Sequence, residues 1–315
     1  NAGIGITLSS SGNIDAIGVI TATSFKGDGS NLTGIDATTI KDSGGTVRVQ
    51  ANTAGIVITG ITTGLTAGKL GIGFTDNNVK VGNTALDSLT TGDNNTALGI
   101  NALTATTTGD RNTAVGSQAL DANTTGSDNV AIGRQSLGEN TTGSYNTAAG
   151  QGSLASSTTA SYNAAFGTNS MNSNSTGANN TGIGNDALRA NTTASNNTAI
   201  GSNALTANTT GVSNVAVGKD ALKTNTTTSN NTALGAFALE DNTGNSNTAV
   251  GEVAMNKNTT GAENVSLGFD SLYDNTTGSY NTALGTYALE DNTTANFNVA
   301  VGYKASQLNT TGTTN

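Results

Sequence analysis

Few side chains in this sequence could take part in catalysis, and two pairs of adjacent acidic residues are the strongest candidates. The chain of 315 residues contains no His and no Cys, so a Ser–His or Cys–His nucleophile is excluded. Glu240-Asp241 and Glu290-Asp291 could in principle cleave glycosidic bonds, because glycosidases use two carboxyl groups. Both pairs occupy variable places in a repeat, which favours charged surface residues over a catalytic pair. The sequence therefore predicts that the protein is not an enzyme.

Metal and cofactor sites have little support in the sequence. Residues 27–34, GDGSNLTG, place Asp28 among glycines, but they lack the regular spacing of oxygen ligands in a calcium loop. A phosphate-binding glycine loop would be followed by a helix, and no helix is predicted after this segment. The Asn-x-Thr triplets could accept N-linked glycans in a secreted protein, although their fixed places in the repeat explain them structurally. We therefore predict no metal and no cofactor.

Composition limits both the core and the partners of the chain. There are 42 Gly and no Pro or Trp, and only 10% of the residues are charged, against roughly 25% in an average globular domain. The apolar 34% is mostly Ala, Val, Ile and Leu, which predicts a thin, extended core. A net charge of −9 without a basic run argues against nucleic-acid binding. No apolar run approaches the roughly 20 residues of a membrane span.

The elements that position all these residues belong to a tandem repeat of seventeen residues, N-T-A-x-G-x-x-A-L-x-x-N-T-T-G-S-x. Fourteen copies begin at Asn78, and one copy, with a shortened turn at Asn242–Gly244, has sixteen residues. The first position is Asn and the fifth is Gly in every copy, while the ninth is Leu or Met in thirteen. Seventeen residues are too few for the helical pairs of common solenoids, which need about 33 or more.

Alternation within the repeat predicts a coil of two short strands and two turns. Alternate residues of a strand share a face, so we expect Thr or Val at the second position and an aliphatic residue at the fourth to face the core together. Coils stacked about 4.8 Å apart would align equivalent residues in columns, giving an all-β parallel solenoid or β-roll. The expected Asn column contains Asn112, Asn129, Asn146, Asn180 and Asn197, the Gly column contains Gly116, Gly133, Gly150, Gly184 and Gly201, and the core contains Leu120, Leu137, Leu154, Leu188, Leu205, Ile132 and Ile200.

The thin core of one coil also predicts an oligomer. One Leu and one other aliphatic side chain per coil contribute about 2–3 kcal/mol each, whereas fixing the backbone costs about 1–2 kcal/mol per residue. Apolar faces shared between chains would offset part of this difference. We expect the small residues at the third and eighth positions to let neighbouring backbones approach closely, and we predict an intertwined homotrimeric fibre.

Residues 1–77 do not follow the repeat. Residues 12–40 are typical of short β segments joined by Gly-rich turns, and residues 45–50 and 55–64 alternate like strands. We predict a β-rich fibre segment over residues 1–77 and the repeat domain over residues 78–315. Because the chain starts with Asn rather than Met and ends on the first position of a fifteenth copy, we expect it to be part of a longer protein.

Aromatic residues gather in the late repeats, at variable positions that we expect to face outward. Exposed rings beside Asp or Asn can stack on sugars or fill a partner's surface. Packing between chains is the preferred interpretation, and contact with a receptor is the alternative. The residues are Phe237, Phe269, Tyr273, Tyr280, Tyr287, Phe297 and Tyr303.

The repeats resemble those of two classes of surface fibre. Asn129-Val130-Ala131-Ile132-Gly133 is similar to the repeat in the heads of trimeric autotransporter adhesins, which implies a trimeric parallel β-roll. The longer NTAVG…AL…NTTG pattern resembles phage tail-fibre proteins, and residues 20–35, ITATSFKGDGSNLTGI, resemble a segment of tail fibres from contractile-tailed marine phages. This resemblance implies a structural fibre on the virion surface that serves host-cell attachment. Its partners would be copies of itself, a host surface glycan or protein, and other virion proteins through a segment before Asn1.

Two other functions stay open. A trimeric bacterial surface adhesin, extracellular and held at the cell surface, would carry a membrane anchor after the repeats. An ice-binding β-solenoid would present flat rows of Thr-x-Thr, whereas this repeat places its adjacent Thr pair, such as Thr124 and Thr125, in a turn.

Overall fold

The computed structural model describes residues 77–314 continuously and, before them, the backbone of six short strands. These six strands are β1 (Thr7–Leu8), β2 (Ile14–Asp15), β3 (Ile40–Lys41), β4 (Val47–Asn52), β5 (Gly55–Val57) and β6 (Ile72–Thr75). The repeats contain β7 (Asn78–Val81), β8 (Thr96–Leu98), β9 (Thr113–Val115), β10 (Val130–Ile132), β11 (Thr147–Ala149), β12 (Ala164–Phe166), β13 (Thr181–Ile183), β14 (Thr198–Ile200), β15 (Val215–Val217), β16 (Thr232–Leu234), β17 (Thr248–Val250), β18 (Val265–Leu267), β19 (Thr282–Leu284) and β20 (Val299–Val301).

The chain divides into two units, Asn1–Thr66 and Ala67–Asn315. In the first unit, β1 pairs with β2, and β4 pairs with β3 and β5, all antiparallel. Strands β4 and β5 overlap the segments whose alternation predicted strands. Residues 20–35, with Asp28 and the segment resembling phage tail fibres, lie outside the described residues.

In the second unit, β7 to β20 follow one another in a single parallel sheet, and β6 joins it as an antiparallel neighbour of β7. Equivalent repeat positions pair throughout, so Ala131 lies between Ala114 and Ala148. This register places each residue type in a column along the stack. The predicted all-β parallel solenoid with coils of seventeen residues is confirmed.

Each coil contains one strand, of four residues in β7 and of three residues in β8 to β20, and the expectation of a second strand at the eighth and ninth positions is wrong. The Leu of this segment adopts a left-handed backbone conformation, with φ of 50° at Leu120 and 52° at Leu188, which extended strands exclude. Hydrogen bonds between coils continue here nevertheless, because the Leu120 N–H donates to the Ser136 carbonyl at 3.0 Å. The segment is therefore a stacked turn that aims Leu into the coil.

The interior of the coil is built from leucines and small residues. The predicted core leucines Leu120, Leu137, Leu154, Leu188 and Leu205 are all fully buried. They pack with buried Ala at the third position and buried Ala or Ser at the eighth. These small residues therefore lie inside one chain, and the expectation that they form contacts between chains is wrong.

The expectation that Ile132 and Ile200 belong to the core is also wrong, since they are 46% and 37% exposed. In a strand of three residues the middle side chain points to one face and the two end side chains point to the other. The middle residue is Ala in most of these strands, and it points inward together with the Asn that precedes the strand. The Asn decides which face of the strand points into the coil, because its side-chain amide is fully hydrogen bonded only inside.

The sixteen-residue copy keeps the stack in register. Thr232 pairs with Thr248 and Leu234 with Val250 across the shortened coil. Its turn is closed by Asn242, whose Nδ2 donates to the Gly244 carbonyl at 2.8 Å. One residue is therefore lost in the corner without displacing either neighbouring strand.

Candidate functional site

Two columns of buried Asn hold the coils together, and the first is the column predicted from the sequence. The Asn129 N–H donates to Asn112 Oδ1 at 3.0 Å, and the Asn146 N–H donates in turn to Asn129 Oδ1 at 3.0 Å. Asn129 Nδ2 donates to the Gly143 carbonyl across its own coil at 2.8 Å. The same bonds are made by Asn112, Asn146, Asn180 and Asn197, all buried. Their role is structural.

A second Asn column lies at the twelfth position. The sequence pattern indicated only a turn at this position and did not predict the column. Asn140 Nδ2 donates to Asn123 Oδ1 at 2.9 Å and to the Gly143 carbonyl at 3.0 Å. The signal that could have revealed this column is the recurrence of Asn where any turn residue would serve. Because Asn123 and Asn140 are completely buried, the Asn-Thr-Thr triplets of these coils are closed to glycan attachment in the folded chain.

Ser157 interrupts this second column. It stands where most coils have Asn, and both Ser157 Oγ and Asn140 Oδ1 are buried without a hydrogen-bond partner. A buried polar atom without a partner costs about 1–3 kcal/mol. The coil at Ser157 is therefore a weak point of the stack.

Ser157→Asn is expected to stabilise the protein by about 1–2 kcal/mol. The new amide would donate to Asn140 Oδ1 and to the Ala160 carbonyl, as Asn140 does in its own coil. Slower amide hydrogen exchange across residues 140–174 would report the gain. Ser156→Asn, one residue earlier and partly exposed, is the matched control, and equal effects of the two substitutions would contradict this explanation.

The Gly column sets the corner that follows each strand. Gly116, Gly133, Gly150, Gly184 and Gly201 have φ between 125° and 140°, a region that residues with a side chain rarely adopt. A Cβ on Gly184 would lie 2.5 Å from the Gly201 carbonyl oxygen. Both the backbone angle and the next coil therefore require Gly.

The first candidate interaction surface is the outward sheet face, which we define as the side chains at the second and fourth positions of β7–β20. Its fourth-position column is aliphatic or aromatic, apart from Ala149, and Leu98, Ile132, Leu234 and Leu267 are all exposed. Thirteen steps of about 4.8 Å make the column about 62 Å long. A contiguous apolar surface of this length is typical of a protein–protein contact.

The second candidate surface is the aromatic ridge, formed by Phe269, Tyr287 and Tyr303 beside the Gly corners of the last coils. Phe269 and Tyr287 meet edge to face with centroids 5.7 Å apart, and Tyr287 and Tyr303 meet at 6.0 Å. Lys304 Nζ lies 5.5 Å from the Tyr287 centroid and 5.6 Å from that of Tyr303. Tyr303 is 71% exposed and Phe269 41%, so rings of the ridge are open to a ligand.

The other predicted aromatic residues lie elsewhere, so the seven do not form one site. Tyr280 and Phe297 stack in parallel with centroids 4.9 Å apart. Tyr145 and Tyr162, which the sequence reasoning passed over, make an equivalent pair at 5.0 Å. Phe237 lies under Lys219 at 4.8 Å, and Tyr273 lies under Lys257 at 4.6 Å.

The acidic pairs make hydrogen bonds between coils. Glu240 accepts from Lys223 Nζ at 3.3 Å and from Asn256 Nδ2 at 3.1 Å, and Glu290 accepts from Gln307. These contacts favour the interpretation of the pairs as charged surface residues.

Charge is unevenly spread near the aromatic ridge. Burial raises the pKa of the Asp270 carboxyl, and the nearby Glu290, Glu252 and Asp274 raise it further. Within residues 77–314, no group of three or more acidic side chains is arranged to hold a metal ion.

No known protein family, curated protein or solved structure matches this chain. In the described part of the chain, no helix is long and apolar enough to cross a membrane. A functional assignment consequently depends on the two candidate surfaces and on the rod that carries them.

Proposed function

We propose that this chain forms part of the shaft of a viral tail fibre and serves attachment to the host cell as a homotrimer on the virion surface. The observation that carries the proposal is the uninterrupted stack from β7 to β20 with an exposed apolar column along it. No catalytic step is assigned to the chain, and the bacterial surface adhesin is the alternative.

The stack has the mechanical properties that a shaft needs. Backbone hydrogen bonds and the first Asn column link the coils, and the second Asn column adds to them wherever the twelfth position is Asn, so bending the rod would break bonds in several columns at once. In repeat proteins each unit contacts only its neighbours, so length grows with the number of copies while the cross-section stays constant. A spacer of adjustable length follows from this arrangement.

The homotrimer is supported by the outward sheet face. A chain alone leaves an apolar column of about 62 Å in water, and three chains around a common axis would turn the three columns toward one another. The variable corners, including the aromatic ridge, would remain on the outside.

Antibodies against the repeat test the proposal directly. Immunogold electron microscopy is expected to label tail fibres of virions, and the purified chain is expected to slow virus adsorption to host cells. Label on the bacterial surface and none on virions would replace the viral proposal with the adhesin. Light scattering of the purified chain tests the trimer independently.

The aromatic ridge is the proposed contact with a host surface glycan or protein. Tyr287→Ala together with Tyr303→Ala is expected to weaken binding of the purified chain to host cells about tenfold, equivalent to about 1.4 kcal/mol. Tyr273→Ala, whose ring is already covered by Lys257, is expected to have a smaller effect. Unchanged binding of the double variant combined with a weakened trimer would instead assign the ridge to packing between chains.

Ice binding has one observation in its favour. Thr at the second position points outward in rows along the sheet, for example Thr181 and Thr198 in β13 and β14, although the sequence predicted that this position faces the core. The neighbouring column varies from Ala149 to Phe166, which makes the face uneven. Thermal hysteresis measured in a solution of the purified chain would support ice binding.

A further inference from the structure

The outward sheet face contains one local arrangement of side-chain sizes that differs from the rest. Among the fourteen strands β7–β20, Phe166 is the one aromatic residue at the second and fourth positions, and Ala149 and Ala164 are the only alanines there. These three residues are adjacent. Ala149 pairs with Phe166 in register between β11 and β12, and Ala164 precedes Phe166 by two residues on the same face.

A large side chain with Ala149 and Ala164 as two of its neighbours keeps the local volume of the face nearly constant, although Ile183 lies on its other side. Volume is constrained where side chains are closely packed, since interiors tolerate volume-conserving changes far better than added bulk. A face that meets only water has no such constraint. Phe166 is 42% exposed, so its own neighbours leave much of the ring uncovered.

We infer that the outward sheet face packs against the same face of other copies of this chain, in parallel and in register, and that Phe166 with Ala149 and Ala164 sets the axial register. This inference depends on the proposed homo-oligomeric fibre. In register, Phe166 of every copy lies at one level, and the space above Ala149 lies about 4.8 Å away along the axis, so each ring can tilt into it.

Other alignments lose this match. An antiparallel arrangement about the middle of the sheet would bring β12 opposite β15 and place Phe166 against Val217, while Ala149 would meet Leu234. A shift of one coil would place Phe166 of one copy against Ile183 of the next and Ala149 of the first against Phe166 of the next, but a shift repeated from copy to copy gives an open filament and not a closed trimer. The size of the face supports a specific contact: it measures about 10 Å by 62 Å, or roughly 600 Å² per copy, to which flanking corners add. Stable interfaces bury about 800 Å² per partner.

Spin labels can measure the alignment, because the chain has no Cys. Asn94→Cys and Glu263→Cys each place one label at an exposed seventeenth position, beside the face but outside it. Electron–electron distance measurements are expected to give the same short distance between copies at both sites. An antiparallel alignment would give about 62 Å at residue 94 and about 34 Å at residue 263, and would overturn the inference.

Substitutions can test the role of Phe166. Phe166→Ala is expected to raise at least tenfold the concentration at which the oligomer dissociates, measured by light scattering on dilution. The swapped variant, Ala149→Phe with Phe166→Ala, is expected to restore much of the loss. Phe269→Ala is the matched control, because Phe269 is 41% exposed and lies on the aromatic ridge instead, and no change is expected.

The outcomes separate this inference from the proposed function. Equal effects of Phe166→Ala and Phe269→Ala in a chain that remains trimeric would overturn the role of Phe166 and leave the fibre intact. A wild-type chain that is monomeric at every concentration would remove the homotrimer as well. Circular dichroism confirms that each variant keeps its β structure.

Discussion

Leu188→Asp is expected to unfold the middle of the solenoid while leaving distant coils folded. Leu188 is fully buried in a column between Met171 and Leu205, and its N–H donates to the Ala204 carbonyl at 3.0 Å. Truncating a buried Leu alone costs about 2–5 kcal/mol, and an unpaired carboxylate in the same place costs more. We therefore expect a loss of at least about 4 kcal/mol in the affected coils.

Hydrogen exchange with coil-by-coil resolution is the measurement for Leu188→Asp, because a repeat protein can unfold in parts. Protection should fall in residues 171–213 and persist near residues 95–130. Thr193→Asp introduces the same charge at an exposed position and should leave protection unchanged. Retained protection around Leu188→Asp would mean that the Leu column does not form the core.

Gly184→Ala is expected to destabilise its coil nearly as much, although it adds only a methyl group. The residue has φ of 135°, which strains any residue with a Cβ by about 1–3 kcal/mol. The new Cβ would also lie 2.5 Å from the Gly201 oxygen and 2.6 Å from its carbonyl carbon. Since both atoms are backbone, the coils must separate locally, and we expect a total cost of about 3 kcal/mol or more.

Gly138→Ala provides the matched control for Gly184→Ala. The atom nearest to a Cβ on Gly138 would be the Gln135 carbonyl oxygen, 3.4 Å away, and no positive φ constrains this residue. We expect a change within about 0.5 kcal/mol. Thermal unfolding followed by circular dichroism compares the two, and equal losses would show that the Gly column is not required by the stack.

The period of the repeat was sufficient to predict the columns, because a coil of constant length places equivalent residues side by side. For the same reason, the Asn and Gly that recur in every copy could be predicted to shape and pair the backbone. The direction in which the strand faces could not be predicted. Alternation separates Ala131 from Ile132, but it does not decide which of them points inward.

That choice depends on hydrogen bonds that are visible only in three dimensions. Asn129 needs an acceptor at Gly143 and a donor from the next coil, and both are available only inside. The apolar Ile132 is then forced outward, against the usual preference for burial. The surfaces were hard to predict for a similar reason, since the ring pairs depend on contacts between coils and not on the order of residues along the chain.

The two Asn columns also give the stack a direction. Asn129 Nδ2 lies 3.2 Å from Asn112 Oδ1, and Asn140 Nδ2 donates to Asn123 Oδ1, so both of these amides donate toward the coil nearer the N-terminus. Backbone groups also donate the other way, for example from the Leu120 N–H to the Ser136 carbonyl of the following coil. The two ends of the stack therefore offer different donors and acceptors, and a further coil fits each end in one orientation only.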